Sequence, residues 1–261
     1  MGYTNLDTRM KDYEHTFRSY LPKKQPLIIR LDGKAFHTFT KGFGRPFDDI
    51  FMETMQDVTK YLCKNIMNCK FGYTQSDEIS LLLVDYENTD TQQWFGNNLQ
   101  KIVSVSASMA TLQFNKRFRE IVTTLDESPY FNDNLQNYSS KFDRALFDSR
   151  AFILPKEEVC NYFIWRQQDA TRNSILSVAQ SKLSHKEMDK KNCKELQYIL
   201  LTEHDLNWND IEITKKRGSG MVKRNYDKDG TLRSGWFLDD SIPIFTEDRD
   251  YIDQHIFEKG E

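Results

Sequence analysis

Two short apolar runs in the first third of the chain end on acidic residues. Leu27-Ile28-Ile29-Arg30-Leu31-Asp32-Gly33 reads as a buried strand closing on a carboxylate and a glycine. Gly72-Tyr73-Thr74-Gln75-Ser76-Asp77-Glu78-Ile79 closes a second strand on an acidic tip. Brought together, Asp32, Asp77 and the Gly33 carbonyl make an all-oxygen ligand set, which suits Mg²⁺ rather than zinc. Such an ion keeps places for water and phosphate. A pair of them about 3.5–4 Å apart activates an attacking hydroxyl and neutralises a leaving pyrophosphate. Gly33 would let a nucleoside triphosphate approach the backbone without meeting a Cβ. Taken singly, Asp-Gly after a strand is ordinarily a turn and Ser-Asp-Glu a common hairpin tip; only their convergence makes a site.

Cations suited to phosphate oxygens are Arg30, Lys34, Lys41, Arg45 and Lys101. Arg45 precedes Pro46 at the start of a predicted helix, where free backbone N–H groups favour anions. His37 is placed either to touch a phosphate or base or simply to pack. A second basic cluster, Lys215-Lys216-Arg217 with Lys223-Arg224, either neutralises nucleic-acid phosphates or is a solvated basic hairpin.

The elements that must hold these residues follow from periodicity. A polar helical arm is expected over 5–14, and a strand over 27–32 after Pro22 and Pro26. Phe47-Asp48-Asp49 supplies capping oxygens for a helix whose apolar residues include Met55, Val58, Leu62 and Ile66. Strands are expected over 69–75 and 79–84, joined by a tight hairpin, then a helix over 95–119. Residues 124–143, with Pro129, read as a loop, and 146–154 as a fourth strand. The order β-α-β-β-α-β is the ferredoxin-like, or split βαβ, pattern of an α+β fold. In it strands one and two run parallel with strand three between them, so Asp32 and Asp77 converge at one sheet edge. Beyond Pro155, helices are expected over 157–182 and 185–203, then a hairpin over 214–240 turning at Asp229-Gly230. The domain reading is a catalytic core over 1–155 and a helical and hairpin extension over 156–261 packed upon it.

With 38% hydrophobic and 13% aromatic residues, the chain has the material for a large folded core despite a mean hydropathy of −0.69. The net charge of −3 gives no bulk attraction to nucleic acid, so such a partner must meet a local basic patch. No run reaches the ~18 apolar residues of a membrane span. The start of the chain carries no apolar signal region, so a cytoplasmic location is expected. Cys63, Cys69, Cys160 and Cys193 have no zinc spacing and read as reduced thiols.

In series, these motifs resemble the tRNA-His guanylyltransferases. The matching residues are Arg30-Leu31-Asp32-Gly33 with Phe36-His37, Arg45-Pro46-Phe47-Asp48, Tyr73 to Glu78, Phe147-Asp148-Ser149-Arg150 and Trp165-Arg166-Gln167. The resemblance implies a polymerase-palm core adding nucleotides to the 5′ end of tRNA in the 3′-to-5′ direction. A 5′-monophosphate end is first activated by ATP, and the 3′-hydroxyl of GTP then attacks it. It further implies two Mg²⁺ ions on Asp32, the Gly33 carbonyl and Asp77, supported by Glu78. Lys34, Ala35, Phe36, His37 and Ser76 would line the nucleotide, with Arg45 and Lys101 on the triphosphate. A homotetramer is implied as well. Asp169-Ala170-Thr171-Arg172-Asn173-Ser174 replaces the eukaryotic His-Ile-Asn-Asn element, and Asn97-Asn98 an arginine pair. Both departures resemble the bacterial and archaeal branch, which implies template-directed repair of 5′-truncated tRNA. The alternatives are a nucleotide cyclase on the same palm and a catalytically silent RNA-binding module.

Overall fold

In the computed structural model, which describes residues 5–126 and 135–256, the first acidic strand is flanked on both sides by others. Strand β1 (Leu27–Gly33) pairs antiparallel with β3 (Glu78–Leu83) on one side and β4 (Phe147–Ile153) on the other. Strand β2 (Cys69–Gln75) pairs antiparallel with β3 and, on its far side, with β5 (Ser219–Lys228), which pairs with β6 (Thr231–Asp239). The six-stranded order is β4-β1-β3-β2-β5-β6. Strands β1 and β2 are therefore parallel with β3 between them, as the sequence order required.

Side-chain alternation along β1 fixes the two faces of the sheet. Leu27, Ile29 and Leu31 point into one core with Ile79, Leu81 and Leu83 of β3. This core is closed by α3 (Asp49–Asn65) and α4 (Leu99–Asp126). Asp48 caps α3 through a 2.8 Å bond accepted from the Phe51 N–H. An aromatic cluster of Phe36, Phe39, Phe51, Phe114 and Phe147 fills the end nearest Gly33, with ring centroids 4.9–6.0 Å apart. Phe36 and Phe39 lie on the short helix α2 (Phe36–Phe39). Ile28, Leu82, Phe71 and Tyr73 point to the other face and pack on Val159, Tyr162 and Phe163 of α6 (Lys156–Lys182).

Several expectations shift. The helix expected from 95 is preceded by a 3₁₀ turn, Trp94–Asn97, in which Phe95 and Gly96 are left-handed, so α4 begins at Leu99. Within the expected 124–143 loop, α4 runs on to Asp126 and α5 (Leu135–Ser139) forms a further turn, while 127–134 with Pro129 lie outside the described residues. The single helix expected over 185–203 is two, α7 (His185–Met188) and α8 (Cys193–His204). Each begins at its own capping box, Ser184 with Glu187 and Asn192 with Glu195, and the second cap interrupts the helical run.

The C-terminal hairpin also starts later than expected. Residues 213–217 form a helical turn, α9 (Ile213–Arg217), which Gly218 ends at φ 83°. A Cβ at Gly218 would come within 2.6 Å of the Thr74 carbonyl oxygen, so the position accepts glycine on both counts. Only Ser219 to Val222 pair with β2; beyond them the β5–β6 hairpin runs on exposed to its Asp229-Gly230 turn. A last turn, α10 (Asp250–Asp253), packs Ile252 under the sheet. At the other end, α1 (Asn5–Thr16) buries none of its residues. All four cysteines are free, and no helix among the described residues is long and apolar enough to cross a membrane.

Candidate active site

Strand register builds the site. Asp32 stands opposite Glu78 on β3 and opposite Asp148 on β4, and Glu78 opposite Gln75 on β2. Because directly paired residues share a face, Asp148, Asp32, Glu78 and Gln75 form one row across the sheet, on the α6 side. The next row is Arg150, Arg30, Ser80 and Tyr73. The β2–β3 turn is tied to β1 by the Gly33 N–H, which donates to the Asp77 carbonyl at 3.1 Å. Ser76 takes a left-handed φ of 50° in that turn, and its hydroxyl donates to Asp77 Oδ1 at 3.1 Å.

This crowding raises carboxylate pKa values. Asp32 is pushed above its ordinary value by burial first and by the charge of Asp148 second. Asp77 is raised by burial and then by the charge of Asp32, so the two expected ligands sense each other. Glu78 is also raised, because burial outweighs the Arg166 guanidinium beside it. Arg166 Nε donates to Glu78 at 2.7 Å and its Nη2 to Asp169 at 2.8 Å, with both ends of the Glu78 pair buried. Glu78 is thus held by α6 behind the two aspartates.

Asp77 and Ser76 form one lip of a cavity of about 440 Å³ between α2, the start of α3, the middle of α6 and α9. His37, Arg45, Lys215 and Lys216 bring cationic or titratable groups to its wall, and Asn173, Ser177 and Gln180 bring polar ones. Of the expected nucleotide residues, Phe36, His37, Arg45, Ser76 and Asp77 line this cavity. Lys34 and Ala35 do not: Lys34 is exposed, with its N–H bonded to the Leu146 carbonyl, and Ala35 turns the chain into α2 at φ 55°.

Two expectations need correction, and a third residue shows a further constraint. Lys101 lies in the first turn of α4, where Leu99 N–H donates to the Ser19 carbonyl and Asn97 bonds Pro22. That places it at the start of β1, the opposite end from Asp32. At Gly33 packing makes its own demand for glycine, since a Cβ there would fall 2.3–2.6 Å from the Phe36 ring. The Lys215-Lys216-Arg217 run is no exposed strand. Lys215 pairs with Asp49 at 2.9 Å and Glu212 at 3.4 Å, and Lys216 is buried with its ammonium on the Asn209 carbonyl. Arg217 has a buried Nε without a partner. Lys223 and Arg224 are exposed as expected, although Arg224 reaches Asp239 at 3.0 Å.

Sequence reasoning passed over Asp148 and Arg166 as site members, and Asn173, Ser177 and Gln180 as cavity lining. Ala170, Asn173, Ser174 and Ser177 recur at helical spacing on one face of α6, a legible stripe of small and polar residues. Among the described residues, no three His, Cys, Asp or Glu side chains gather closely enough to cage an ion by themselves. The Asp32–Asp77 pair still fits a hard cation that keeps several waters or phosphate oxygens as ligands. Two crowded carboxylates whose ionisation is suppressed by burial and by each other's charge are stabilised by a cation between them.

A carboxylate at the lip of a cavity walled by cations, with a second carboxylate behind it, is an arrangement suited to phosphoryl transfer. The family model described as tRNAHis guanylyltransferase (Thg1) matches residues 7–155, more than half of the 261-residue chain, and the chain belongs to that family of nucleotidyltransferases. Its fold is similar to that of a bacterial tRNA(His) guanylyltransferase (Thg1)-like protein in complex with ATP, with a TM-score of 0.83 and 45% identity over 98% of this chain and 100% of that one. The corresponding complex with GTP gives 0.81 and 44% over the same shares. The tRNA(His) guanylyltransferase of Kluyveromyces lactis is 28% identical over 213 residues, 74% of this chain and 80% of its own.

Proposed function

We propose that this protein adds nucleotides to the 5′ end of tRNA in the 3′-to-5′ direction, repairing 5′-truncated tRNA, with Mg²⁺ held by Asp32, Asp77 and the Gly33 carbonyl. The observation that carries the reading is Asp77 at the lip of the cationic cavity with Asp32 close enough behind it for the two charges to interact. ATP and GTP, the ligands of the bacterial relatives' complexes, are the nucleotides proposed for that cavity. The strand order β4-β1-β3-β2 supports a ferredoxin-like palm as the scaffold. In this reading residues 1–155 carry the carboxylates, and 156–261 complete the site through α6 and α9.

The chain's own groups then act by position and charge. Arg45 and Lys215 neutralise triphosphate oxygens in the cavity, and His37 and Ser76 hydrogen-bond the nucleotide. Arg166 fixes Glu78, so that the buried carboxylate keeps the end of β3 in place behind Asp32. Bound Mg²⁺ would supply charge neutralisation at the transferred phosphoryl group and acidify the attacking hydroxyl. In the first transfer a 5′-phosphate oxygen of the RNA attacks the α-phosphorus of ATP and pyrophosphate leaves. In the second, the 3′-hydroxyl of GTP attacks the 5′-terminal phosphorus of the RNA, AMP leaves and the hydroxyl proton is lost to solvent. Holding the reactants in line contributes most of the rate in such chemistry.

Homotetramer assembly in the cytoplasm belongs to the same proposal. Self-association is supported by an apolar stripe, Leu6, Met10, Tyr13 and Phe17, recurring at helical spacing along the wholly exposed α1 and its C-terminal end. The deciding assay incubates the protein with tRNA lacking its first nucleotide, Mg²⁺, ATP and all four nucleoside triphosphates. Templated lengthening at the 5′ end is expected; cyclic nucleotide formation, or RNA binding without lengthening, would overturn the reading.

A further inference from the structure

The acidic row has two sides, and only one of them is the cavity. Toward β2 it meets Gln75, Ser76 and Asp77 at the cavity lip. Toward the β4 edge it ends at Asp148, and the next row along the same strands carries Arg150 and Arg30, above which α6 places Trp165. Trp165 is 52% exposed although its neighbours Tyr162, Phe163 and Arg166 are buried. Its ring is nevertheless held in place. The Arg166 guanidinium lies 4.2 Å from the ring centroid and that of Arg30 5.8 Å, and Tyr162 approaches edge-on at 6.0 Å. Arg30 keeps a buried Nε with no hydrogen-bond partner. Arg150 is half-exposed and reaches Asp148 across 3.6 Å, too long for a strong charge-assisted bond.

We propose that Trp165, Arg30 and Arg150 form a second subsite that takes a 5′-phosphorylated nucleotide, the terminal one of the acceptor RNA, with its base on Trp165 and its phosphate on the arginines. This inference rests on the function proposed above. Nucleotidyl transfer needs two nucleotides meeting at the carboxylates, and the cavity on the β2 side is the place for one. The second must approach from the other side of the row, where an immobilised aromatic surface and two guanidinium groups lie. Stacking accepts any base, since every base has a π-face, and so suits an acceptor whose first nucleotide varies. The arginines also offset the repulsion that Asp32 and Asp148 would exert on an incoming phosphate.

The test is equilibrium binding by the full-length protein, without turnover, of a truncated tRNA transcript carrying either a 5′-monophosphate or a 5′-hydroxyl. The native protein is expected to prefer the phosphorylated end by about tenfold, the effect of one charged hydrogen-bonding pair. Arg150→Ala should abolish that preference. Trp165→Ala should weaken both transcripts about five- to tenfold, with Trp165→Phe restoring most of the loss. ATP and GTP affinity should be unchanged in all three variants. No phosphate preference in the native protein, or a preference that survives Arg150→Ala, would overturn the subsite. Loss of nucleotide affinity together with RNA affinity unchanged would also overturn it, by assigning the surface to a second free nucleotide. Failure of 5′ lengthening with the binding pattern intact would refute the proposed reaction and leave the subsite standing. Lengthening with no such pattern would do the reverse.

Discussion

Two charged stretches stand out in this sequence, the acidic strand ends at Asp32 and Asp77 and the basic run from Lys215 to Arg224, and the fold treats them differently. The acidic tips are fixed by backbone pairing: strand register places Asp32 in the middle of its row, and the Gly33 N–H ties the hairpin of Asp77 to it. The basic run is divided by Gly218 into a packed helical turn and an exposed strand. Lys215 and Lys216 become cavity wall with partners of their own, and Lys223 and Arg224 stay on the projecting arm. A carboxylate at the end of a buried strand has its position dictated by two neighbouring strands. A run of lysines is constrained by nothing in its own pattern, and distant residues such as Asp49 decide what it does.

The contrast breaks most visibly at the carboxylates. Asp32→Asn and Asp77→Asn should each lower 5′ lengthening about a thousandfold or more, with RNA affinity retained, as read by single-turnover kinetics and filter binding. Next in size, Arg166→Met leaves Glu78 buried without its partner and should cost about 3–5 kcal/mol in denaturant unfolding. Adding Glu78→Gln should recover much of that loss.

The acidic pair also predicts a pH dependence of definite sign. Asp32 and Asp77 have raised pKa values in the folded chain, so their contribution to stability is fully present below the unfolded value of about 3.9 and is lost as pH rises through the raised values. Stabilisation by added Mg²⁺ should grow over the same window as the pair ionises. Thermal melts with and without Mg²⁺ at stepped pH read both trends, and Asp77→Asn should flatten each.

At Gly33 the packing reading predicts that Gly33→Ala destabilises by about 1–3 kcal/mol through overlap with the Phe36 ring. Phe36→Leu in the same chain should relieve part of it. A phosphate-contact reading predicts no such rescue. The smallest effect separates the two halves of the basic run. Lys223→Ala should lower the slope of log affinity for RNA against log salt by about one, whereas Lys215→Ala should leave that slope alone and weaken nucleotide binding.

What could be read in advance follows the same division. The β1, β2, β3 and β4 strands, the Asp48 cap and the Asp229-Gly230 turn are local patterns, and each is present. The convergence of Asp32 and Asp77 needed only strand order and alternation. Arg166 was legible as a motif residue but not as the partner of Glu78, because that contact spans 88 positions. The misplacement of Lys101 has a related cause. Helical spacing gives the face of a residue on α4 but not which end of the sheet its turn reaches, and the Ser19 to Pro22 contacts set that. Asn173 and Ser177 repeat on one face of α6, but nothing local says that this face looks into a cavity.

Ion binding by the carboxylate pair is the most direct test of the central claim. Titration of Mn²⁺ into the full-length protein, with free ion read by electron paramagnetic resonance, should show binding that Mg²⁺ displaces. That binding should be lost in both Asp32→Asn and Asp77→Asn and kept in Lys223→Ala. Undiminished Mn²⁺ binding in either asparagine variant would contradict the account.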